Sequence, residues 1–331
     1  MATTGPYRTK ISGTGSYLPE KILTNADLEK MVDTNDAWIV ERTGIRERRI
    51  APEGEATSDL ALVAAQRALA AAGLTAQDLD AIIVATVSPD QPTPSTACVL
   101  QRKLGARTIM GFDLAAACSG FVYGLSVADQ FIRSGMYKHV LVVGAEVLHR
   151  YVNYKERETC ILFGDGAGAV IASRSDDDSA ILSSHLHTDG GLGDLFILAA
   201  GGSAMPFSEK VLEGGHHYLR MKGREIFKNA VRTMSHCSQE ALDANGMTID
   251  QVDWLIPHQA NLRIIDAVGS HFGIPPEKVI VNVQNYGNTS AATVPIALDE
   301  AVRDGRIKRG QNVLLTVFGA GLTSGSMMMR Y

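Results

Sequence analysis

The sequence predicts an α/β protein with buried sheets, built as two similar halves over residues 1–174 and 175–331. Two observations support this prediction. Short apolar runs rich in β-branched residues alternate with longer segments whose apolar residues recur at helical spacing, which is typical of sheets covered by helices. The order of these runs in the first half then recurs in the second, which indicates an internal duplication.

We predict five strands and three helices in each half. In the first half the strands are the apolar runs at 10–19, 81–88, from Thr108 towards Cys118, 139–148 and 167–174; the helices are the periodic segments at 60–73, 95–105 and from Cys118 to Gly135. In the second half the strands are 180–190, 252–259, 278–287, 312–321 and 323–331, and the helices are 224–246, 260–273 and 288–305.

Composition limits the class of protein. The 331 residues are 45% hydrophobic and 20% charged, which describes a globular chain with ample core. A net charge of −5 argues against a nucleic-acid partner, and no apolar run approaches the length of a membrane span. The N-terminus lacks the apolar stretch of a signal peptide, so we expect a cytoplasmic protein. Four cysteines without a CxxC pair argue against a disulfide scaffold or a metal site.

Cys118 is the most informative residue, because it lies where a predicted strand becomes a helix. A thiol in the first turn of a helix faces unpaired N–H groups and the positive end of the helix dipole, which favour the thiolate. Small residues surround it and would let a substrate approach. Cys98, Cys160 and Cys237 are predicted to be structural, since buried cysteines usually act as small hydrophobic residues. A structural role for Cys118 also remains open.

The duplication suggests partners for Cys118. When the halves are aligned, 108–120 matches 278–290, so Cys118 and Asn288 occupy equivalent strand-to-helix junctions, and His258 ends the preceding strand of the second half. Ligands of open α/β sheets bind at the carboxyl ends of strands, so these side chains could meet across a pseudo-twofold axis.

Each of these residues also has a simpler interpretation. A histidine at a strand end is often a satisfied structural residue, and Asn288 could cap the helix that begins at Thr289. His185 and His187 alternate onto one strand face as metal ligands do, but the sequence shows no third ligand. The glycine motifs at 12–18 and 163–168 do not fit a nucleotide fingerprint, so we assign no nucleotide cofactor.

Together the three residue types support acyl transfer. A cysteine thiolate attacks a thioester carbonyl and takes the acyl group onto the protein. A neutral imidazole N–H and an amide NH₂ can both donate to an enolate formed when a malonyl thioester loses CO₂, and that carbon then attacks the acyl-cysteine. The amides of Cys118 and Ala320, the latter in the Gly319–Gly321 turn, could form a second oxyanion hole.

The chain resembles the β-ketoacyl-[acyl-carrier-protein] synthase III family, the initiating condensing enzymes of bacterial type II fatty acid synthesis. The resemblance covers essentially the whole chain and rests on motifs in family order, at 13–48, AAACSGF (115–121), FGDGAGAV (163–170), PHQANLRI (257–264), YGNTSAATVP (286–295) and FGAGLTSGS (318–326). It implies a thiolase-like duplicated αβαβα layered fold, a homodimer, and catalysis by Cys118, His258 and Asn288 without a cofactor.

Further roles are implied where residues match the family's. The resemblance implies acyl-coenzyme A (acyl-CoA) binding by Thr34, Trp38, Arg42, Arg157, Gly223, Phe227 and Asn261. It implies docking of the acyl carrier protein at Arg263, helped by Lys228, and an acyl pocket at Thr93 and Phe196. Thr93 is expected to reach the partner subunit's pocket; its small size leads us to expect primers longer than acetyl.

Some positions depart from the family. Ser270 and His271 stand where some members carry basic residues, and Ser324 replaces a family tryptophan. Three other functions remain open. A papain-like peptidase has the same order of catalytic residues, but its cysteine signature is absent. A related thiolase-superfamily enzyme could load starter units in secondary metabolism, and a non-catalytic module could bind acyl carrier protein.

Overall fold

The structure is a computed structural model that describes residues 5–331. Its strands are β1 (Thr9–Tyr17), β2 (Lys21–Thr24), β3 (Glu47–Ile50), β4 (Ala81–Ala85), β5 (Met110–Leu114), β6 (His139–Glu146), β7 (Gly166–Arg174), β8 (Ala180–Thr188), β9 (Phe196–Ile197), β10 (Arg220–Met221), β11 (Trp254–Pro257), β12 (Asn312–Gly319) and β13 (Thr323–Arg330). Its helices are α1 (Asn25–Leu28), α2 (Asp36–Thr43), α3 (Thr57–Ala72), α4 (Thr96–Leu104), α5 (Gly120–Arg133), α6 (Arg157–Cys160), α7 (Glu209–Glu213), α8 (Gly223–Ala244), α9 (Leu262–Phe272), α10 (Val283–Tyr286) and α11 (Thr293–Arg303).

Two larger sheets repeat one topology. The first has the order β1-β7-β6-β4-β5 and the second the order β8-β13-β12-β11. In each sheet the first strand is antiparallel to the second, and the second is antiparallel to the third. The third strand is parallel to the fourth, namely β6 to β4 and β12 to β11. The predicted α/β class and the duplicated pattern are confirmed. The boundary between residues 174 and 175 falls between β7 and β8 and stays a prediction.

The elements stack in five layers, helix on sheet on helix on sheet on helix. Helices α5 and α11 form the central layer, because their buried residues pack with both sheets in one cluster. Helices α3 and α4 cover the outer face of the first sheet, and α8 and α9 cover the outer face of the second. Both sheets are therefore buried on two faces, which explains their nearly continuous apolar strands.

One predicted strand is wrong. In the described residues, 278–287 forms only a single parallel bridge, between Val279 and Leu255, and then the short helix α10. The Gln259 side chain takes the place of a strand partner here: its amide nitrogen donates to the Ile280 carbonyl, and its oxygen accepts from the amides of Asn282 and Val283. Once those backbone groups are satisfied by a side chain, no ladder forms there.

Glycines in β1 let a helix pack directly on the sheet. A Cβ atom added to Gly13 would lie 2.3 Å from the Ala68 carbonyl oxygen, and one added to Gly15 would lie 2.3 Å from that of Ala64. Both alanines belong to α3. The glycine-containing segment at 12–16 is therefore a surface on which α3 packs.

A buried ion pair holds α5 against the second sheet. The Arg133 Nε atom donates to the carboxylate of Asp129 one turn earlier, at 2.7 to 2.8 Å, and its Nη2 donates to the Ile181 carbonyl of β8. Both charged side chains are nearly inaccessible to solvent. Helix α5 of the first half is thus anchored to the edge strand of the second.

The corresponding ion pair in α11 anchors this helix of the second half to β1, the edge strand of the first sheet. Arg303 donates to Asp299 at 2.8 Å and to the Thr14 carbonyl of β1 at 3.0 Å. Asp299 also accepts from the hydroxyls of Thr14 and Ser16, at 2.7 and 2.6 Å. The repeated Asp-x-x-x-Arg pattern at 129–133 and 299–303 is a sign of duplication that our sequence alignment did not use.

No helix in the part of the chain that the structure describes is long and apolar enough to cross a membrane.

The two ion pairs should differ in their contribution to stability. Arg133→Met leaves the Asp129 carboxylate buried with little compensation and should lower the free energy of unfolding by about 3–5 kcal/mol. Arg303→Met leaves two hydroxyl donors on Asp299 and removes a half-exposed cation, so it should cost about 1 kcal/mol. Urea unfolding measures both values. Equal losses in the two variants would contradict this interpretation.

Candidate active site

Cys118 sits on a strained turn between β5 and α5. Residues Ala117–Ser119 form a single 3₁₀ turn, and Ala117 has a φ of +47°, a conformation rarely adopted by residues other than glycine. Helix α5 begins immediately afterwards, at Gly120. As predicted, the thiol lies at the start of a helix that follows a strand, although β5 is only half-buried.

Asn288 precedes a matching turn in the second half. Residues Ser290–Ala292 form a 3₁₀ turn whose first residue has a φ of +50°, and α11 follows at Thr293. The Asn288 Oδ1 atom accepts from the Ser290 amide at 2.8 Å, which orients the side chain. Asn288 is not the N-cap of α11, which begins five residues after it.

The two turns correspond, but with a shift from our alignment. Matching the strained residues Ala117 and Ser290 pairs Cys118 with Ala291, so Asn288 stands three residues before the equivalent position. The two turns contact each other. The predicted meeting of the junctions is therefore correct, although the residue-by-residue equivalence is wrong.

His258 follows the last residue of β11. Its amide donates to the Thr316 carbonyl at 2.8 Å, which continues the pairing of β11 with β12. The ring Nδ1 lies 2.7 Å from the Thr293 hydroxyl oxygen, which in turn lies 2.9 Å from the Ser290 carbonyl oxygen. Burial lowers the pKa of His258 to about 3, so the ring is neutral at physiological pH.

The three side chains line one cavity of about 680 Å³. Cys118 is 4% exposed, His258 2% and Asn288 6%, so the reacting end of the cavity is almost closed to solvent. In such surroundings a hydrogen-bond donor stabilises developing negative charge far better than it does in water.

The charge state of Cys118 differs from our expectation. Burial raises the pKa of the thiol to about 12, a hydrogen bond from Ser290 opposes this change, and the nearby Glu146 carboxylate adds to it. The helix N-terminus therefore does not make a free thiolate at neutral pH. Glu146 is itself fully buried, and burial raises its pKa to about 7 although the Thr86 and Ser88 hydroxyls donate to it.

The turn Gly319–Leu322 lies against the Cys118 amide. A Cβ atom at Gly319 would come within 2.7 Å of the Cys118 nitrogen, so only glycine leaves this amide unobstructed. Ala320 and Phe196 line a second, apolar cavity of about 120 Å³ that Cys118 also borders. The structure thus brings Ala320 and Phe196 to the nucleophile; their roles as oxyanion donor and acyl-pocket wall remain predictions.

The outer end of the larger cavity carries aromatic and cationic side chains. Two guanidinium carbons lie over the Trp38 ring, that of Arg42 at 4.7 Å and that of Arg157 at 4.5 Å from its centroid. Gly223, Phe227 and Asn261 line the wall between this end and the catalytic residues. The structure brings together six of the seven residues expected to bind CoA.

Three predicted residues lie apart from the cavity lining. The Thr34 hydroxyl is buried outside it. Lys228 is exposed on α8, whereas Arg263 lines the cavity and its guanidinium lies 5.5 Å from the Phe227 ring. Thr93 is exposed and borders neither cavity within one chain, which fits a residue expected to serve a partner subunit.

Sequence reasoning identified Gly223 and Phe227 of α8 but missed Ala230 and Met234, which continue the same cavity wall. These four residues lie three or four positions apart, on one face of the helix. This helical spacing was visible in the sequence and could have identified that face. Thr293, Ser290 and Glu146 had no such signal, since their approach to His258 and Cys118 depends on the tertiary fold.

Comparison with known proteins identifies a family. Residues 112–190 match the family model of 3-oxoacyl-[acyl-carrier-protein] synthase III, and residues 242–331 match its C-terminal model. The chain is similar to β-ketoacyl-[acyl-carrier-protein] synthase III of Xanthomonas campestris pv. campestris, at 55% identity over 97% of this chain and 98% of the relative. The Caldanaerobacter subterraneus protein of that name is 54% identical, over 97% of both chains.

A solved structure supports the same relationship. The 3-oxoacyl-[acyl-carrier-protein] synthase III of Aquifex aeolicus is 50% identical, with a TM-score of 0.91 over 98% of this chain and 100% of the other. The chain belongs to the β-ketoacyl-[acyl-carrier-protein] synthase III family, the acyltransferases that carry out the initiating condensation of fatty acid synthesis.

Proposed function

We propose that this protein condenses an acyl-CoA primer with malonyl-acyl carrier protein to give a β-ketoacyl-acyl carrier protein, through an acyl group carried on Cys118. The observation that supports this most directly is the convergence of Cys118, His258 and Asn288 at the closed end of one cavity. A second support is the contact of the Trp38 ring with two guanidinium groups at the other end of the cavity.

The first step is a thioester exchange. The Cys118 sulfur attacks the primer carbonyl, the carbon–sulfur bond to CoA breaks, and the proton of Cys118 leaves with the departing CoA thiol. The oxyanion of the tetrahedral intermediate is held by the amides of Cys118 and Ala320. Because burial keeps Cys118 protonated before substrate binds, attack and proton loss are coupled.

The second step is a decarboxylative condensation. The malonyl carboxylate leaves as CO₂, and the enolate oxygen that forms is held by the His258 Nε2–H group and the Asn288 amide. The enolate carbon attacks the acyl carbonyl on Cys118, the carbon–sulfur bond breaks, and the released thiolate takes up one proton from solvent. Both steps balance with these side chains and that proton, so the account requires no cofactor.

The donor role of His258 depends on Thr293. A hydroxyl has one proton, and the Thr293 oxygen lies within hydrogen-bonding distance of both His258 Nδ1 and the Ser290 carbonyl. In the structure the hydroxyl donates to the Ser290 carbonyl. When the hydroxyl turns to donate to Nδ1 instead, the neutral ring carries its proton on Nε2 and can donate to the enolate. Thr293 is thus a positioning residue that sets the tautomer of His258.

The open end of the cavity suits a nucleotide and a carrier protein. A planar base can stack against Trp38, and the flanking arginines can pair with CoA phosphates. Thr34 remains a proposed contact of CoA at this end of the cavity. Arg263 at the cavity mouth and exposed Lys228 supply positive charge for an acidic carrier protein.

The pocket for the primer's acyl chain is completed by a second subunit. We place the primer's alkyl group in the apolar cavity beside Phe196. In a homodimer, Thr93 of the partner subunit would complete this pocket, and strand β5, at the edge of its sheet, offers a pairing edge. A cytoplasmic location remains part of this proposal.

The central reaction can be tested with labelled acetyl-CoA and malonyl-acyl carrier protein. The wild type should gain one acetyl group on Cys118, found by mass spectrometry of its peptide, and then release acetoacetyl-acyl carrier protein. Cys118→Ser should form neither product at a comparable rate, while Cys98→Ser, at an exposed free cysteine outside both cavities, serves as the matched control. Condensation by a folded Cys118→Ser protein at the wild-type rate would exclude the acyl-cysteine route.

Gly319 should be needed for the oxyanion hole rather than for the fold. Gly319→Ala places a methyl group 2.7 Å from the Cys118 nitrogen and should lower kcat by about 10²–10³-fold, the usual effect of losing one oxyanion donor. Steady-state kinetics and thermal unfolding measure the two properties. Near-wild-type kcat with normal stability would show that the Cys118 amide is not used.

The Thr293 hydroxyl should affect the enolate step. Thr293→Val keeps the shape of the side chain but removes the proton, so kcat should fall at least about tenfold, because a misplaced His258 tautomer cannot donate. Thr293→Ser restores the hydroxyl and should restore most of the rate. Acylation of Cys118 by acetyl-CoA should continue in both variants. Equal activity of the Val and Ser variants would refute the tautomer role.

A further inference from the structure

A cluster of metal-ligating side chains lies outside the active site. His187 at the end of β8 meets Cys237 and Glu240 of α8, and one ligand atom of each lies within 4.8 Å of the others. The sequence showed no third ligand for His187; the tertiary fold supplies two, from a helix 50 residues away.

The donors already face one another. The His187 Nε2 atom lies 2.7 Å from one carboxylate oxygen of Glu240, and His236 Nε2 lies 3.8 Å from the other. His236, Cys237 and Glu240 are spaced so that the carboxylate lies one helical turn beyond the first two residues. Cys237 is fully buried, with its Sγ 3.7 Å from the Ser324 hydroxyl oxygen.

Space for a bound ion exists beside these donors. A cavity of about 400 Å³ is lined by His187, His236 and Ser324, among others. Ser324 stands where the resembled family has tryptophan, and a side chain of that size would occupy more of this volume. Arg232 and Asp189, of opposite charge, also line the cavity.

We propose that His187, Cys237 and Glu240, with His236 as the fourth ligand, bind a zinc ion. Thiolate, imidazole and carboxylate are the ligands that Zn²⁺ takes in tetrahedral sites, with bonds of about 2.0–2.3 Å. On binding, the Cys237 thiol releases its proton to solvent, and the ion replaces the proton between His187 Nε2 and Glu240, which transfers through solvent to His187 Nδ1. Small rotations of these side chains contract the cluster to bonding distance.

The ion would brace the region behind the oxyanion turn. Cys237 approaches Ser324, the Asp189 amide donates to the Leu322 carbonyl at 3.4 Å, and the Thr323 hydroxyl donates to the Ala116 carbonyl at 2.9 Å. The cluster therefore joins α8 to β8, and the segment Leu322–Ser324 connects this region with the Cys118 turn through the hydrogen bond from Thr323 to Ala116. Zinc binding should raise the unfolding temperature of the protein.

The test uses Cys118→Ser protein, freed of metal with a chelator, so that the catalytic thiol cannot bind the probe. Addition of Co²⁺ should give a thiolate-to-cobalt charge-transfer band that saturates at one equivalent, and Zn²⁺ should displace it. His236→Ala should shift the visible cobalt bands, because it removes the fourth ligand; unchanged bands would show that His236 is not a ligand. His187→Ala should weaken Zn²⁺ binding at least about tenfold. His185→Ala, on the same strand but bonded to Ser183, is the matched control and should bind normally.

The decisive variant is Cys118→Ser with Cys237→Ser. Its metal-free circular dichroism spectrum establishes that it is folded, and the cobalt band should be gone. Persistence of the band in this protein, or its absence from Cys118→Ser alone, would overturn the proposal. Because the test is done in an inactive background, its outcome is independent of the proposed condensation chemistry.

Discussion

The burial of α5 and α11 between the two sheets is the constraint on which the active site depends. Each helix is packed on both faces by apolar side chains, and each is tied by an arginine to the edge strand of the other half. The two helices can therefore neither slide nor tilt independently. The turns that precede them, strained at Ala117 and Ser290, are held together by that packing, which sustains backbone conformations that cost energy locally.

The closed surroundings created by this packing determine the chemistry. His258 is kept neutral and Cys118 protonated because a charge buried there would lose its hydration. The site therefore works through oriented donors rather than through a standing thiolate–imidazolium pair. The order of the side chains from Trp38 inward matches a substrate with a charged, aromatic outer end and a reactive thioester at its inner end.

Much of the fold followed from apolar runs, since strands buried on both faces and helices with one apolar face have distinct periods. The strand at 278–287 could not be excluded this way, because it is replaced through the hydrogen bonds of one side chain, Gln259. Cys118 was recognisable from its junction. The contact of Thr293 with His258 and that of His187 with Glu240 were not, since these pairs lie 35 and 53 positions apart in the sequence.

The central claim is that Cys118 carries the acyl group while His258 and Asn288 act on the malonyl group. It is tested most directly by following both half-reactions in Asn288→Ala: acetyl transfer from acetyl-CoA to Cys118, and release of CO₂ from malonyl-acyl carrier protein labelled at its carboxyl group. The account predicts acetylation near the wild-type rate with CO₂ release strongly reduced. Loss of acetylation with normal CO₂ release would contradict it.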